Sequence, residues 1–490
     1  MKNTYKYRLL SRITLEALSP LVIGSGNKNI KTDSVVAKDV NELPYIPATT
    51  LAGLIRHSLP EEEQRKWMGY QTKEESCGSQ LILSEAKILS ENGKPIDGLS
   101  NKEDEDSIDG LNDKEDAVKQ LCHQLPIRQH VRINHQGVAE KNGKFDEEIV
   151  PKGMRFCFEM ELISEEDDNE IMDKILSTIQ SNGFRIGSGS RSGFGQISII
   201  SILHKKLNLS TPEDLKLYLS KSSSLENIWE GFEPYTPAVN TNTDYIRYEL
   251  TLQPTDFMFF GAGFGNECSD MTFVREPVIQ WDNDDRACII EKEKVILIPG
   301  SSVKGALAHR TAYHYNKLKA CFADGKSAEE LQKHVGKQND AVKLLFGSEG
   351  DKRGKDKKRG NILISDVTRI QTEELKKKVL NHVKIDRFTG GTVPGALFSE
   401  EILYAPEVSF TLELLLYKAA ITEDKKDKED KEKALKAFET ALTDLCKGYL
   451  PLGGGVNRGN GTFKGILKKN TASRKKARLA AKVNSLVNSL

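Results

Sequence analysis

The sequence predicts an α+β fold in which one unit is written twice. Two strand-like stretches, RITLEALSPLVIG at 12–24 and RYELTLQPTDFMFFG at 247–261, each run into a glycine-opened loop of sixteen residues. The loops are GSGNKNIKTDSVVAKD (24–39) and GAGFGNECSDMTFVRE (261–276), with glycines at places one and three, Asp at place ten and an acid at place sixteen. A helix start follows each, LPYIPATTLAGLIRH at 43–57 and LIPGSSVKGALAHR at 297–310, where Pro47 matches Pro299 and His57 matches His309. Recurrence in one order marks an internal duplication.

The later elements recur in step. After each helix start, Pro, a small residue and Ser/Thr precede an apolar spacing, which is an N-cap pattern. Trp67-Met68-Gly69 is answered by Leu345-Phe346-Gly347, and LILSEAKI (81–88) by ILISDVTRI (362–370). HVRIN (130–134) matches HVKID (382–386), FDEEIVPKG (145–153) matches FSEEILYAP (398–406), and the alternating strands FCFEMELI and SFTLELLL follow. A helix comes next, NEIMDKILSTIQSN (169–182) or KEKALKAFETALTDLCKG (431–448), and a glycine-rich segment closes each copy, IGSGSRSGFGQI (186–197) or LGGGVNRGNGTFKGI (452–466). A strand-first unit with two helices over an antiparallel sheet is the ferredoxin-like pattern. The expected domains are 1–204 and 244–467, joined by a Pro-, Ser- and Asn-rich linker at 205–243 and followed by a basic tail at 468–490.

Composition narrows the classes. At 490 residues, 38% apolar and 29% charged, the chain suits a globular protein of at least two cores. No run of about 18 apolar residues is present, and MKNTYKYRLL lacks a signal peptide's apolar core, so a cytoplasmic chain without membrane contact is expected. Seven cysteines without a CxxC pair argue against a disulfide framework or a zinc ribbon. Basic and acidic residues balance at 71 each, so a nucleic-acid partner requires a polarised surface. Acid would then be exported to inserts such as 100–116, while 352–359 and 468–479 are basic.

The recurring parts carry the chemistry. Glycines in the closing segments serve either as turns or as close backbone approaches to a polyanion, and Arg191 and Arg458 sit inside them. Neither segment ends in GK[ST] or opens a βαβ unit, which removes nucleotide-cofactor readings. The hairpins around HVRIN and HVKID either set Arg128, Arg132, Lys384 and Arg387 to contact phosphates or are plain surface hairpins, while Phe145 and Phe398 pack. An Asp in a Gly/Asn/Thr loop is either a turn-former or a group that binds a divalent cation or moves protons at a phosphodiester. Spacing leaves Asp33 and Asp270 open between these.

ALSPLVIGSG, DSVVAKD, YIPATTLAGLIRH, the HVRIN hairpin and IGSGSRSGFG resemble the RAMP superfamily of CRISPR-associated proteins, in particular the repeated backbone subunit of type III effector complexes. IPGSSVKGAL, LFGS, ILISDV and LGGGVNRGNG repeat the likeness in the second half. The resemblance implies a modified RRM-like palm with a thumb hairpin, stacked along guide RNA so that the thumb interrupts the guide–target duplex. It implies that Asp33, and by the repeat Asp270, cleaves target RNA with a divalent cation, Mg2+ or Mn2+, bound at the same two residues. The residues after Asp270 depart from the family wording. Gly24, Gly26, Gly261, Gly263, Arg56 and Lys304 are implied RNA contacts beside the arginines and lysines above. Two fused units are similar to type III-D-like systems, and the implied partners are guide RNA, complementary target RNA and other effector subunits: further RAMP proteins, a large polymerase-like subunit and a small subunit. A scaffold that binds guide RNA without cutting is the alternative, and a guide-processing enzyme using His57 is a third reading.

Overall fold

The computed structural model describes residues 5–26, 32–96, 116–237, 244–348, 357–371, 376–422 and 427–470. Strand Tyr7–Ala17 is buried on both faces: Leu9, Ile13 and Leu15 point to the helices, and Leu10 and Arg12 to the opposite side. It lies between Ile197–Asn208 and Arg155–Ser164, with Leu81–Leu83 outside the latter, all neighbours antiparallel. The second sheet repeats this order in Phe463–Asn470, Tyr245–Pro254, Phe410–Tyr417 and Ile362–Ile364. Numbered within each unit the order is 4-1-3-2, the ferredoxin-like arrangement.

Each sheet has its own core. Ala48–Ser58 and Asn169–Ile179 bury Leu51, Ile55, Met172, Ile175 and Leu176 against the first sheet. Gly300–Leu318 and Lys428–Cys446 bury Val303, Leu307, Phe438 and Leu442 against the second. Both helix starts fall directly after the prolines expected, but no side chain of the Ser/Thr run caps them. In the second unit Asp366 Oδ1 accepts the Gly300 N–H at 2.7 Å instead, placing a carboxylate at the helix's positive end.

Residues 205–237 of the stretch expected as a linker are built onto the first sheet. Ile197–Asn208 runs past residue 204, Pro212–Leu219 forms a helix, and Glu233–Pro234 adds an edge strand. Trp229 and Phe232 pack with Leu10 and Leu207, closing the face away from the two core helices. The acidic insert, except Asp116, and the tail beyond residue 470 lie outside the described residues.

The second unit also reaches into the first. A hairpin of Val278–Trp281 and Ala287–Ile290 has no counterpart in the first unit, where Asp39 Oδ1 closes a tight turn onto Asn41 and Leu43 N–H groups. Ile279, 3% exposed, belongs to the first unit's core. Its N–H donates to Lys152 O at 2.9 Å, and Trp281 Nε1 donates to Gly153 O at 2.7 Å. Arg155 lies 4.2 Å from the Trp281 ring centroid.

Candidate functional site

The two loops are held in the same way. Each sixteen-residue loop turns back on its strand through a bridge, Gly24 with Val36 and Gly261 with Phe273, and Gly26 and Gly263 take left-handed φ of 79° and 88° in the turn. One residue past each Asp, the chain pairs in parallel with a projecting hairpin, Ser34 with Glu147 and Met271 with Glu400. Glu148 N–H donates to Ser34 O at 2.9 Å and Glu401 N–H to Met271 O at 2.8 Å. Asp33 and Asp270 are therefore exposed at the foot of equivalent hairpins.

At that foot the hairpin side chain meets the loop. Asp33 N–H donates to Asp146 Oδ1 at 2.8 Å, and Asp146 N–H to Asp33 Oδ2 at 3.4 Å. In the second unit Asp270 N–H donates to Ser399 Oγ at 3.0 Å, while Ser399 N–H and Oγ donate to Asp270 Oδ2 at 2.8 and 3.0 Å. These bonds, the backbone one first, hold the Asp270 carboxyl below the ordinary carboxylate range.

The hairpins, Ile127–Ile133 with Ala139–Glu148 and Lys377–His382 with Phe398–Tyr404, lie in separate sheets and carry the same ring pair. His130 stacks on Phe145 and His382 on Phe398, both with centroids 4.9 Å apart, so the two phenylalanines pack as expected. Burial, then the Arg128 charge, pushes His130 down to about 4, so its contact with Glu147 at 3.4 Å is made by a neutral ring. In the unfolded chain the ring takes its proton near 6.5. Stability from this site is therefore complete above that pH and falls towards 4, at about 1.4 kcal/mol per pH unit. Urea unfolding at pH 7 and pH 5 should show this loss, and His130→Phe should reduce it.

Arg128 is not where an RNA contact would be. It is 3% exposed in the seam between units. Its Nε donates to Glu276 Oε1 at 2.5 Å, Nη2 to Glu276 Oε2 and Nη1 to Asp366 Oδ2. Burial opposes its charge, but Asp366 and Glu276 outweigh that and hold its pKa above the usual value. The expectation of a phosphate contact is corrected: the guanidinium is occupied by two carboxylates. Its counterpart in the second unit is Leu380.

The glycine-rich segment of the first unit closes the same seam. Gly193 bridges Ser365 in parallel, Arg185 Nη1 donates to Ser365 Oγ at 2.9 Å, and Arg191 Nε donates to Gly360 O. Lys304 Nζ lies 3.3 Å from Ser192 Oγ. Burial, then Arg359, pushes Arg191 down to about 10, and burial, then Arg191, lowers Lys304. These cations crowd one another. In the second unit Arg458 instead grips Glu400 with contacts of 2.5 and 2.7 Å.

The other candidates separate by exposure. Arg132, Lys384 and Arg387 are exposed on the hairpins, Arg132 facing Phe145 at 5.8 Å. Arg56 Nη2 donates to Met68 O and, at 3.0 Å, to Gly69 O, closing the end of helix Glu61–Met68. His57 Nδ1 contacts Gly53 O at 2.6 Å within its own helix, and His309 is half-buried with burial lowering its pKa. Gly263 packs against Gln129 of the first hairpin, where a Cβ would come within 2.7 Å of Oε1. Sequence reasoning missed Asp146 and Ser399, although FDEE against FSEE displays the exchange.

Among the described residues no group of three or more His, Cys, Asp or Glu could hold a metal ion. Asp33 and Asp270 each present one exposed carboxylate at their loop. No described helix is long and apolar enough to cross a membrane.

Small ribosomal subunit protein bS20 of Fusobacterium nucleatum subsp. nucleatum is 96% identical over 27 residues, covering 6% of this chain and 30% of that protein. So short a shared stretch carries no argument about the rest of the chain. The family model of the RAMP superfamily matches residues 14–198 and 254–464, one region per sheet. With two sheets of one strand order and a bracketed loop on each, the chain belongs to the RAMP superfamily in two units.

Proposed function

We propose that the chain is a guide-RNA-binding backbone subunit of a type III CRISPR ribonucleoprotein, of the fused type III-D-like kind, acting in the cytoplasm. It cuts complementary target RNA at two places, one per loop. The supporting observation is the matched placement of Asp33 and Asp270, each exposed and tied to the base of its own hairpin. Repeat-equivalent apolar residues stand exposed on those hairpins, Val131 and Ile133 in one, Val383 and Ile385 in the other. Such side chains give a parted duplex an apolar surface in place of a base neighbour.

The 2′-OH of the target attacks the adjacent phosphate to form a 2′,3′-cyclic phosphate, and the displaced 5′-oxygen of the next nucleotide leaves as a hydroxyl, the proton lost by the 2′-OH being balanced by the one it gains. The loops hold that phosphate in line, and the exposed Arg132, Lys384 and Arg387 hold the strands. Asp33 and Asp270 are the residues that would hold a divalent cation, which when bound would neutralise the phosphate's developing charge. Lys304 and Arg191 form with Arg359 the cationic side of the seam along which guide phosphates run. The first unit's outer strand leaves Ile82 50% exposed where the second unit buries Leu363 to 3%. This supports a further RAMP protein as neighbour, with the large polymerase-like and small subunits completing the complex.

The complex assembled with Asp33→Ala, Asp270→Ala or both tests the reading on a complementary RNA. Each single variant should lose one product, by about 10²–10⁴-fold, and the double variant both. Unchanged cutting by the double variant leaves the scaffold reading in place.

A further inference from the structure

We propose that the seam between the two units cannot be repeated between copies of the chain, so that the neighbour covering Ile82 is a different RAMP protein with a basic surface. This deepens the reading of the chain as a backbone subunit and rests on it. Four cations of the first unit enter the seam: Arg128 on Glu276 and Asp366, Lys152 on Thr368 Oγ1 at 2.6 Å, Arg185 on Ser365 and Arg191 on Gly360 O. By the repeat, their places in the second unit are held by Leu380, Ala405, Pro451 and Asn457, and none of these is charged. The surface that a second copy would have to offer lacks the cations that fasten the seam.

The receiving face differs as well. Glu276 and Asp366 correspond to Asp39 and Glu85 in the first unit. There Lys87, in the place of Thr368, lies 3.4 Å from Asp39 Oδ2 and 3.2 Å from Glu85 Oε1. Lys87 does from within what Arg128 does from across the seam. The arm shows the same loss: a Cβ on Gly153 would lie 1.9 Å from Ile279 O, and Pro406 stands in that glycine's place in the second unit. A second copy laid on the first unit's face would bury Lys87, Asp39 and Glu85 against uncharged side chains, losing hydration and forming no new ion pair. The Glu85 side chain is 47% exposed, and a carboxylate accepts from more than one donor, so it can take a cation from a different neighbour.

Sedimentation of the purified chain should show single chains over a wide concentration range, and native mass spectrometry of the assembled complex should show one copy. End-to-end growth with concentration, or two copies in one complex, would overturn the proposal. Two variants rebuild the seam chemistry at the ends: Leu380→Arg with Ala405→Lys on one chain, and Lys87→Thr on another. Each alone should stay monomeric, since the added cations meet Lys87 and the bared carboxylates meet Leu380. Mixed, they should associate at least about tenfold more tightly than either does with itself, the effect of one interfacial charge pair. A mixture no tighter than its components would also sink the idea. Lys87→Gln, which keeps a hydrogen bond for Asp39, replaces Lys87→Thr if that chain melts early. Failure of the chain to enter a guide-RNA complex would remove the backbone reading and leave the sedimentation result standing.

Discussion

Arg128→Ala is expected to lower the stability of the chain by roughly 3–5 kcal/mol, the cost of leaving buried charges without their partner. Glu276 and Asp366 are 5% and 9% exposed, so water cannot replace the guanidinium without opening the seam. Asp366 also holds the start of helix Gly300–Leu318 through the Gly300 N–H, so the damage passes into the second core. Urea unfolding of the variant should show a large fall in midpoint. Arg128→Met, which keeps the length but not the charge, should not recover it. A loss under about 1 kcal/mol, the usual worth of an exposed ion pair, would show that the seam is wet and the cluster dispensable.

Gly193→Ala should be nearly as severe, at roughly 3 kcal/mol from backbone strain alone. Gly193 has a φ of 125°, outside the range of ordinary side chains, and an added Cβ would lie 1.9 Å from Asp366 Oδ1. That oxygen cannot retreat, because it accepts the Gly300 N–H while its twin holds Arg128. Thermal melting and limited proteolysis would read the effect: the variant should melt earlier and expose the seam to cleavage. Wild-type melting would show that the two units meet more loosely.

The sequence made the repeat legible because its signals are local. Loop glycines, the prolines before helices and alternating strands all lie within a few residues of one another, and the 4-1-3-2 order follows from their succession. Arg128 was misread because what decides its role lies 148 and 238 residues away, in Glu276 and Asp366. A basic residue on a hairpin reads as a phosphate contact until a long-range carboxylate claims it. Asp146 and Ser399 were visible as letters, but their bonds to the loops span 113 and 129 residues. The Val278–Ile290 arm escaped for a different reason: comparing two copies reveals what they share, and the first copy lacks it.

That arm changes what the fusion means. Ile279 fills the first core while Trp281 donates its indole N–H to Gly153 O of the first unit, so the first half is completed by side chains encoded in the second. The two units are thus fastened by a borrowed piece of core as well as by the covalent chain. A gene split between the two units would still encode an interlocking pair, the first member's core unfilled without its sibling.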